Sequence, residues 1–438
     1  MQRRSIVIVG GGFGGTAVAR ALADKLPEAV DLTLVSEESY TTFNPLLAEA
    51  VGASIFPEQV VAPLRELLRP HGQCRFIMGR VTGADLRSHR IRCSTLGGDR
   101  EIAFDHLVLA FGNRARLDLL PGMADHAMPL KTVGDAMEIR NAVLRRLARI
   151  ELETDPSLRR ALGHFVIIGG GFSGVEVAGE LVDCLASIRR YYPLVRSDEL
   201  NVTVLHDGER LLPELPAPLG AAALKSLMHR GVDVRLSTRA AAISAQGVAV
   251  AGDTISACTV VCTIGTQPNL LAVALGLPSE RGRITVGPDL AVPGHPGIWA
   301  VGDCAAVQNA FDNQIAAPTA QFAVREGGVL ANNLLRSFKG EPTRAFRYRA
   351  LGSMASIGHR KGVAQMFGLA LSGLPAWLLW RAYYLSQMPT LGRKIRIFVE
   401  WTWGMFFPAD ITHLRFTGSR ELLDIERTVA QSELARPD

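Results

Sequence analysis

The sequence predicts an α/β protein with two parallel-sheet units, each covered by helices, followed by a C-terminal region of different composition. Three observations lead to this prediction. A strand, a glycine-rich turn and an apolar-periodic helix follow one another at the N-terminus, the same construction recurs at "HFVIIGGGFSGVEVAGEL", and four of the five tryptophans lie between residues 377 and 403. A chain of 438 residues is also too long for one hydrophobic core and indicates two or three domains.

Composition limits the classes of function. The chain is 48% hydrophobic and 20% charged, which is typical of a folded globular protein. The net charge of +5 is modest and spread along the chain, so it gives only weak support for an anionic lipid partner. The sequence has no basic run with interleaved aromatics, which argues against nucleic acid. The six cysteines are scattered without metal-ligand spacing, so no metal site and a reducing compartment are expected.

The first nucleotide-binding signal opens the chain. Strand "SIVIV" is followed by Gly10, Gly12 and Gly15 in G-x-G-x-x-G spacing and then by helix "TAVARALADKL". Gly10 permits the tight turn, Gly12 lets the backbone approach a pyrophosphate, and Gly15 lets helix and strand pack closely. This unit is therefore predicted to be a Rossmann-type dinucleotide-binding domain. Because its strand starts within the first dozen residues, no signal peptide is expected.

A carboxylate is expected at the end of the second strand, "DLTLVSEE", where it would hold a ribose hydroxyl. The expected position is Ser36, so the adjacent Glu37 is assigned this role. The alternative, an ordinary exposed loop acid, stays open.

The second unit contains Gly169, Gly171 and Gly174 between a buried strand and a helix. Two dinucleotide sites in one chain favour a bound flavin together with a diffusible nicotinamide. The next strand of this unit ends at His206, where NADH-specific enzymes commonly have Glu. The sequence therefore does not decide between NADH and NADPH, and Asp207 is an alternative partner for the ribose.

A third signal is the stretch "GIWAVGDCAAV", a strand that runs into Gly302 and Asp303 and then into small residues that can begin a helix. In this position Asp303 can hydrogen-bond the ribityl chain of a flavin, while backbone N–H groups face the phosphates. A surface Asp that only caps a helix is the alternative.

These motifs carry a resemblance to a known family. Nearly the whole chain resembles the type II NADH:quinone oxidoreductases, through "SYTTFNPLLAEAV", "FDHLVLAFGN", "HAMPLKTVGDAMEIRN", "GGGFSGVEVAGEL" and "APTAQFAVREGGVLANNL". The most specific part is "GSMASIGHRKGVAQMFGLALSGLPAWLLWRAYYL". The resemblance implies an FAD-dependent enzyme that passes a hydride from NADH to flavin and then two electrons to a membrane quinone, without proton pumping.

The resemblance also implies a domain organisation. We expect a discontinuous FAD-binding domain at 1–118 and 287–345, an NADH-binding domain at 119–286, and a C-terminal membrane-associating region at 346–438. The predicted fold class is thus α/β, with two Rossmann-type dinucleotide-binding domains and a C-terminal membrane-docking region.

Roles for individual residues follow from the same resemblance. Glu176 is expected near both nicotinamide and quinone and is the leading candidate for proton handling, although it could be only a capping or surface acid. Gln321 and Lys361 are expected beside the quinone, although Lys361 could instead belong to a lipid-headgroup patch. FAD is expected along Gly10, Gly12, Gly15, Gly112 and Asp303 with Ala320 near the isoalloxazine, and NADH along Gly169, Gly171, Gly174, Glu176 and Gly265.

The sequence departs from the family at the quinone motif. Arg325 stands where the family commonly repeats a Gln, and Glu326 follows it. We expect Glu326 to neutralise Arg325, and the quinone type is left open.

The C-terminal region is predicted to dock on a membrane. From Gly362 to Trp380 there is no charge, but Pro375 and several glycines interrupt the run, so a spanning helix is not expected. "PAWLLWRAYYLSQM" is instead predicted to be an amphipathic helix with Trp and Tyr at headgroup depth and Arg381 reaching lipid phosphate. "LGRKIRIFVEWTWGMFF" repeats this pattern. The alternatives are a homodimer interface and a helix packed on its own body.

The cysteine positions and two unexpected site residues bear on two alternative functions. A sulfide:quinone oxidoreductase needs Cys near the flavin, and no Cys follows Cys304 or lies between Cys93 and Cys184, which argues against it. A non-catalytic, redox-sensing flavoprotein is suggested by His206 and Arg325. The expected location is peripheral, on the cytoplasmic face of the inner (plasma) membrane.

Overall fold

The structure is a computed structural model that describes residues 3–23, 25–68 and 73–414. Its largest sheet has seven strands. Five neighbouring strands pair in parallel, and the last two extend the sheet as an antiparallel meander. In spatial order the strands are Ile298–Ala300, His106–Leu109, Arg4–Val9, Val30–Ser36, Cys74–Asp85, Arg90–Thr95 and Gly98–Ala103. The first four of these strands are mostly buried, as expected for parallel strands covered by helices, whereas Cys74–Asp85 is largely exposed or half-buried.

A second, five-stranded parallel sheet forms the other nucleotide unit. Its order is Met128–Pro129, Thr259–Cys262, His164–Ile168, Asn201–Leu205 and Asp233–Arg235. In each sheet the strand that precedes the glycine-rich turn is central, so the turn emerges at the carboxyl edge, where ligands bind in open α/β sheets.

The helices pack on these sheets and on the C-terminal region. They are Phe13–Ala23, Leu47–Val51, Leu64–Leu68, Met123–His126, Val133–Ile150, Pro156–Leu162, Phe172–Ile188, Ala217–His229, Leu270–Ala274, Ala320–Phe338, Leu374–Gln387 and Leu391–Trp403. Small antiparallel or mixed sheets use Tyr40–Thr42 with Val61–Pro63, Ala242–Ser244 with Gly247–Val250 and Asp253–Ser256, and Ser279–Glu280 with Arg283–Thr285 and Ala305–Ala306.

A two-stranded antiparallel ladder joins the two nucleotide units. Asn113–Ala115 pairs with Thr266–Pro268, and each strand begins directly after a glycine with positive φ, Gly112 on one side and Gly265 on the other. Leu275, Leu277 and Ile284, which the sequence analysis assigned to the second domain, are buried in the core of the first sheet.

The C-terminal region is a three-stranded antiparallel sheet followed by two helices. The strands are Gly352–Ser356, Gly362–Met366 and Leu369–Ser372, and the helices are Leu374–Gln387 and Leu391–Trp403. Within the described part of the chain, no helix has both the length and the apolar character needed to cross a membrane.

The predicted outward orientation is wrong for three of the four C-terminal tryptophans, whereas Trp403 is exposed. Trp377 and Trp401 are only 2% and 4% exposed, and Trp380 is fully buried in the core of the second domain. Arg381 does not reach outward. Its guanidinium lies 3.7 Å from the ring centroid of Trp377 and 4.8 Å from that of Trp401. The physical reason is that an aromatic and basic helix face packs as well on a protein core that contains carboxylates as on a lipid headgroup layer.

Candidate active site

The two glycine-rich turns have the same geometry. Gly10 and Gly169 have φ of +112° and +121°, which only glycine adopts without strain. A Cβ on Gly15 or Gly174 would lie 1.9 or 1.8 Å from the carbonyl oxygen of the first glycine of its turn, so a side chain is excluded at both positions. The middle glycine of each turn faces open space. A Cβ on Gly12 would meet nothing within 4 Å, and one on Gly171 would meet only Glu214 Oε1 at 3.9 Å.

The domain of the seven-stranded sheet is called the first domain, and that of the five-stranded sheet the second domain. A cavity of about 2010 Å³ runs between these two domains and the C-terminal region. Its wall brings together eight of the predicted site residues, namely Gly10, Gly12, Glu37, Gly112, Glu176, Asp303, Ala320 and Gln321. A second cavity of about 160 Å³ adjoins it and is lined by Gly265 and by Glu176, which therefore faces both spaces.

Glu37 lies at the carboxyl end of strand Val30–Ser36 and on the cavity wall. Arg80 holds it, with Nε 2.9 Å from Glu37 Oε1. Arg80 comes from the neighbouring strand, and the sequence analysis did not identify it as part of this site.

Asp303 lies in the short turn Gly302–Cys304, at the cavity wall. Burial raises the pKa of Asp303, and the nearby cations Lys131 and Arg283 lower it. Glu326 is buried behind the turn and accepts a hydrogen bond from Gly302 N at 2.8 Å, which fixes the position of the turn. Lys131, also on the cavity wall, was not identified from the sequence.

The expectation that Glu326 neutralises Arg325 is wrong. The two side chains leave helix Ala320–Phe338 in different directions, since Glu326 faces the Gly302 backbone while Arg325 is exposed at the cavity. The guanidinium of Arg325 lies 5.6 Å from the ring centroid of Tyr348 instead. Adjacent residues on a helix are about 100° apart, so sequence neighbours do not face each other.

Glu176 lies on helix Phe172–Ile188, in the second turn after the glycine-rich loop. Its Oε1 accepts a hydrogen bond from Ser356 N at 3.2 Å. Burial raises the pKa of Glu176 well above its ordinary value, the Ser356 bond lowers it, and the carboxyls of Glu49 and Glu180 raise it further. Burial therefore favours the protonated form of the Glu176 carboxyl, which faces the cavity.

Gly179 explains how the C-terminal strand reaches Glu176. A Cβ on Gly179 would lie 2.3 Å from the carbonyl carbon of Ile357, so only glycine lets helix Phe172–Ile188 lie directly against this strand end. This close approach places Ser356 beside Glu176.

Gln321 lies on the cavity wall, and its Nε2 donates to Gly352 O at 3.4 Å, a long hydrogen bond. Lys361 lies elsewhere. Its ammonium donates to His359 O at 3.2 Å, and Lys361 is not among the described residues that line either cavity.

His206 packs beneath the second glycine-rich turn. Gly170 N donates to His206 Nδ1 at 3.3 Å, and Asp207 Oδ1 lies 3.5 Å from the same nitrogen. Among the described residues no partner is found for the buried His206 Nε2.

Two buried carboxyls next to Glu176 were missed by the sequence analysis. Glu49, 2% exposed, accepts from Trp401 Nε1 at 2.6 Å, and Glu180 accepts from Ser54 Oγ at 2.6 Å. Burial raises the pKa of Glu180 to about 8, and also raises that of Glu49. The available signal was a single acid inside each of the apolar stretches "LLAEAV" and "VAGELV".

Comparisons with known proteins agree with this geometry. The profile of the pyridine nucleotide-disulphide oxidoreductase family matches residues 4–327, and that of the NDH2 C-terminal domain matches residues 351–409. The type II NADH:quinone oxidoreductase NdhA of Mycobacterium tuberculosis is 30% identical over 431 residues, which cover 92% of this chain and 87% of the relative. The structure of NDH2 from Plasmodium falciparum in complex with NADH matches with a TM-score of 0.85 at 18% identity, covering 94% of this chain and all of that chain.

The fold and the paired glycine-rich turns define a flavoprotein reductase of the pyridine nucleotide-disulphide oxidoreductase class. The C-terminal sheet and helices follow the part of the chain that matches this class. They lie in the range that matches the NDH2 C-terminal domain. The chain belongs to the type II NADH:quinone oxidoreductase family. The predicted fold class and the family resemblance are thus confirmed.

The sulfide:quinone alternative finds no support. The sulfide:quinone oxidoreductase of Aquifex aeolicus matches less well, with a TM-score of 0.67 at 17% identity over 94% of this chain and 96% of that chain. Cys304, beside Asp303, is buried, and its thiol donates to Val301 O at 3.3 Å. Burial raises the pKa of Cys304 to about 12, so the thiol stays protonated and is a poor nucleophile.

Proposed function

We propose that this protein passes a hydride from NADH to bound FAD and then two electrons to a quinone. The observation that carries the proposal is one continuous cavity that runs past the first glycine-rich turn, Asp303 and Glu176, so the proposed flavin site adjoins an acid whose protonated form is favoured. Relatives across most of the chain are named for the same reaction. When bound, FAD supplies the redox chemistry, so no protein nucleophile is needed.

The first domain has the features that FAD requires. The open space at Gly12 leaves room for the pyrophosphate, and Glu37 is placed for a ribose hydroxyl. Asp303, half-buried at the cavity wall, would bond the ribityl chain. Helix Ala320–Phe338 begins at the cavity, so its first N–H groups would offer hydrogen-bond donors and a positive dipole end to a bound isoalloxazine.

The second domain is proposed to hold NADH. Gly171 leaves space for the pyrophosphate of NADH, as Gly12 does for FAD. The smaller cavity between Gly265 and Glu176 receives the nicotinamide end, next to the larger cavity.

The quinone is proposed to enter the large cavity beside Gln321, Tyr384 and Glu176, which all line it. The long hydrogen bond from Gln321 to Gly352 O leaves its amide able to donate to a quinone carbonyl. Glu176 holds the proton that the reduced quinone needs. Lys361 is not used in this proposal, because its ammonium is bound to His359 O away from the cavity wall.

The reaction is tested by an anaerobic spectroscopic titration. The purified protein receives NADH, then, after removal of excess NADH, a soluble quinone. We expect the flavin absorbance to bleach with NADH and to return with quinone. Flavin that NADH does not bleach would instead support the redox-sensing alternative, and flavin that bleaches but does not return with quinone would rule out the quinone step.

Changing His206 to Glu should increase the preference for NADH over NADPH. A carboxylate at the end of strand Asn201–Leu205 repels a 2′-phosphate, and such a repulsion near a protein surface corresponds to about a tenfold or larger change in the ratio of kcat/KM values. The two ratios are measured with one quinone. Asp207→Asn is the control, since it removes the neighbouring carboxylate. An unchanged ratio in His206→Glu, with a changed ratio in Asp207→Asn, would assign the ribose to Asp207.

The membrane surface is proposed to contact the outer face of the last helix. Leu391, Ile395, Phe398, Val399 and Trp403 lie at helical spacing and are exposed, Trp403 by 61%. This apolar stripe is flanked by basic side chains, as expected for a helix that lies on anionic lipid. We further propose the cytoplasmic face of the inner (plasma) membrane, whose lipid surface is negatively charged.

Changing Ile395 and Phe398 together to Glu should therefore weaken binding to anionic vesicles by about a hundredfold, because two apolar side chains no longer enter the lipid. Vesicle co-sedimentation measures the effect. Leu96→Glu, at a hairpin turn where Leu96 is 87% exposed, is the control and should bind as the parent does. Unchanged vesicle binding together with loss of a dimer in sedimentation would show that the stripe is a homodimer interface instead.

A further inference from the structure

Three carboxyls lie together beneath the cavity and share one nearby guanidinium. Glu176 and Glu180 are one turn apart on helix Phe172–Ile188, so their side chains project on the same face. Glu49 approaches this face from helix Leu47–Val51, and its charge raises the pKa of both other acids. Arg381 Nη2 lies 4.0 Å from Glu49 Oε1.

The charges of this group do not balance if all three acids are ionised. Three negative charges would face one positive charge, and two of the acids, Glu49 and Glu180, are only 2% and 5% exposed. An unpaired buried charge costs several kcal/mol. The cluster therefore retains at least one proton beyond that of Glu176 when the pH is near neutral. Two carboxyls that share a proton release it as a pair and not as independent groups.

The other groups that face the cluster do not supply the missing positive charge. Asp183 and Cys184 lie on the same helix as Glu180, and Asp183 is already paired with Arg230 at 2.8 Å. Glu400, on the last helix, adds a further carboxyl and raises the pKa of Glu49. Tyr384, on helix Leu374–Gln387, is partly buried and stays protonated, because desolvation and Glu176 raise its pKa. Arg140, which lowers the pKa of Cys184, is paired with Asp410 at 3.6 Å.

The Ser54 hydroxyl lies between the three-carboxyl cluster and the protein surface. Ser54 donates to Glu180 Oε2 at 2.6 Å and is itself partly exposed. Its carbonyl oxygen lies beside Gly404, at the end of the last helix. In space, the order of the groups from the surface inward is thus Ser54, then Glu180 and Glu49, and then Glu176 at the cavity.

We infer that Glu49 and Glu180 form a proton store that recharges Glu176 after Glu176 has given its proton to the reduced quinone. This inference rests on the proposed function. Reduction of a quinone to a quinol by NADH consumes one proton from solution in each turnover, in addition to the hydride. In the inferred step the O–H bond of Glu180 breaks, an O–H bond forms on Glu176, and Glu180 then recovers a proton from solvent by way of Ser54. No oxidant or reductant is consumed in this transfer.

The first test is kinetic and uses the full-length protein with bound FAD. In Glu180→Gln the carboxyl that supplies Glu176 is lost, so steady-state turnover with a soluble quinone should fall about tenfold. This is less than the loss on removing a direct proton donor, because Glu180 acts through Glu176. The rate of flavin bleaching by NADH should not change. Glu180→Asp should restore most of the turnover, since it keeps a carboxyl. Glu138→Gln, on an exposed helix face, is the matched control and should behave as the parent.

The second test does not depend on activity. The infrared spectrum of the parent protein should show a protonated-carboxyl C=O band that disappears as the pH rises through about 8. This band should be absent from Glu180→Gln and shifted in Glu49→Gln, because the two acids titrate together.

The results of these tests distinguish failure of the proton store from failure of the proposed NADH and quinone reaction. If the parent protein fails the NADH and quinone titration, the proposed function fails. If the parent passes but Glu180→Gln keeps full turnover, or keeps the titrating C=O band, the proton store is overturned. The proton store would also be overturned if Glu180→Asp and Glu180→Gln slowed turnover equally while Glu180→Asp kept the infrared band. The loss of turnover would then come from the changed side-chain shape and not from a lost proton.

Discussion

Changing Gly171 to Val should give a folded, yellow protein whose flavin NADH cannot bleach, whereas changing Gly12 to Val should give a folded protein that purifies without flavin. The two glycines occupy equivalent places in two turns of the same geometry. Each variant should therefore abolish one nucleotide site and spare the other.

The expectation follows from the space around each glycine. A Cβ on Gly12 meets nothing within 4 Å, and one on Gly171 meets only an atom at 3.9 Å, so the folded protein accepts a side chain at either position. Neither residue has a positive φ. The added side chain instead fills the space into which a pyrophosphate must come. Several hydrogen bonds from the turn to the phosphates are then lost, so we expect binding to weaken by at least about a hundredfold.

Flavin content, NADH bleaching and thermal unfolding measure the three parts of this prediction. Gly328→Val is the control, because a Cβ there also meets nothing within 4 Å while Gly328 lies in helix Ala320–Phe338, outside both turns. If Gly171→Val lost its flavin, or Gly12→Val kept it, the assignment of the two turns to two different nucleotides would be wrong.

Changing Glu176 to Gln should lower turnover with quinone by about a hundredfold, the lower part of the range known for a positioned general acid. The isosteric amide keeps the hydrogen bond from Ser356 N but carries no transferable proton. Reduction of the flavin by NADH should proceed within about twofold of the parent rate, since hydride transfer needs no proton from Glu176. Stopped-flow measurement of flavin bleaching and of its reversal by quinone separates the two steps.

The dependence on pH has a definite sign. Burial raises the pKa of Glu176, so the acid form persists to higher pH than in a free Glu and is lost as the pH rises through that raised pKa. Turnover in the parent should therefore be highest below that pKa and fall on the alkaline side. Glu176→Gln should lack this alkaline limb, and Glu138→Gln should retain it. An alkaline fall that persists unchanged in Glu176→Gln would assign the proton to another group, with the Glu49 and Glu180 pair the first to examine.

The nucleotide-binding parts were predictable from the sequence because their determinants are local. A strand, three glycines at fixed spacing and a helix lie within about twenty residues, and each glycine is required by a close contact or by open space for a ligand. Asp303 was predictable for the same reason, since the strand and the turn that place it are contiguous.

The buried acids and the C-terminal helix orientation were not predictable in this way. Glu49 and Glu180 meet only because helices from distant parts of the chain pack together, and no local pattern encodes that contact. The tryptophans of helix Leu374–Gln387 satisfy the sequence pattern of a lipid-facing helix. They are buried instead, Trp380 in the core of the second domain, and Arg381 has Glu49 as a partner inside the protein. The exposed aromatic side chains of these two helices, Phe398 and Trp403, belong to the following helix, Leu391–Trp403.

The short ladder between Asn113–Ala115 and Thr266–Pro268 has a consequence for how this enzyme family can diverge. Its three residue pairs are made by the main chain, and they follow directly on the turns that contain Gly112 and Gly265. The two nucleotide units are therefore joined here by backbone pairing, which depends little on which side chains the strands carry. A connection of this kind can persist while most side chains change, in keeping with a TM-score of 0.85 to a Plasmodium protein at only 18% identity.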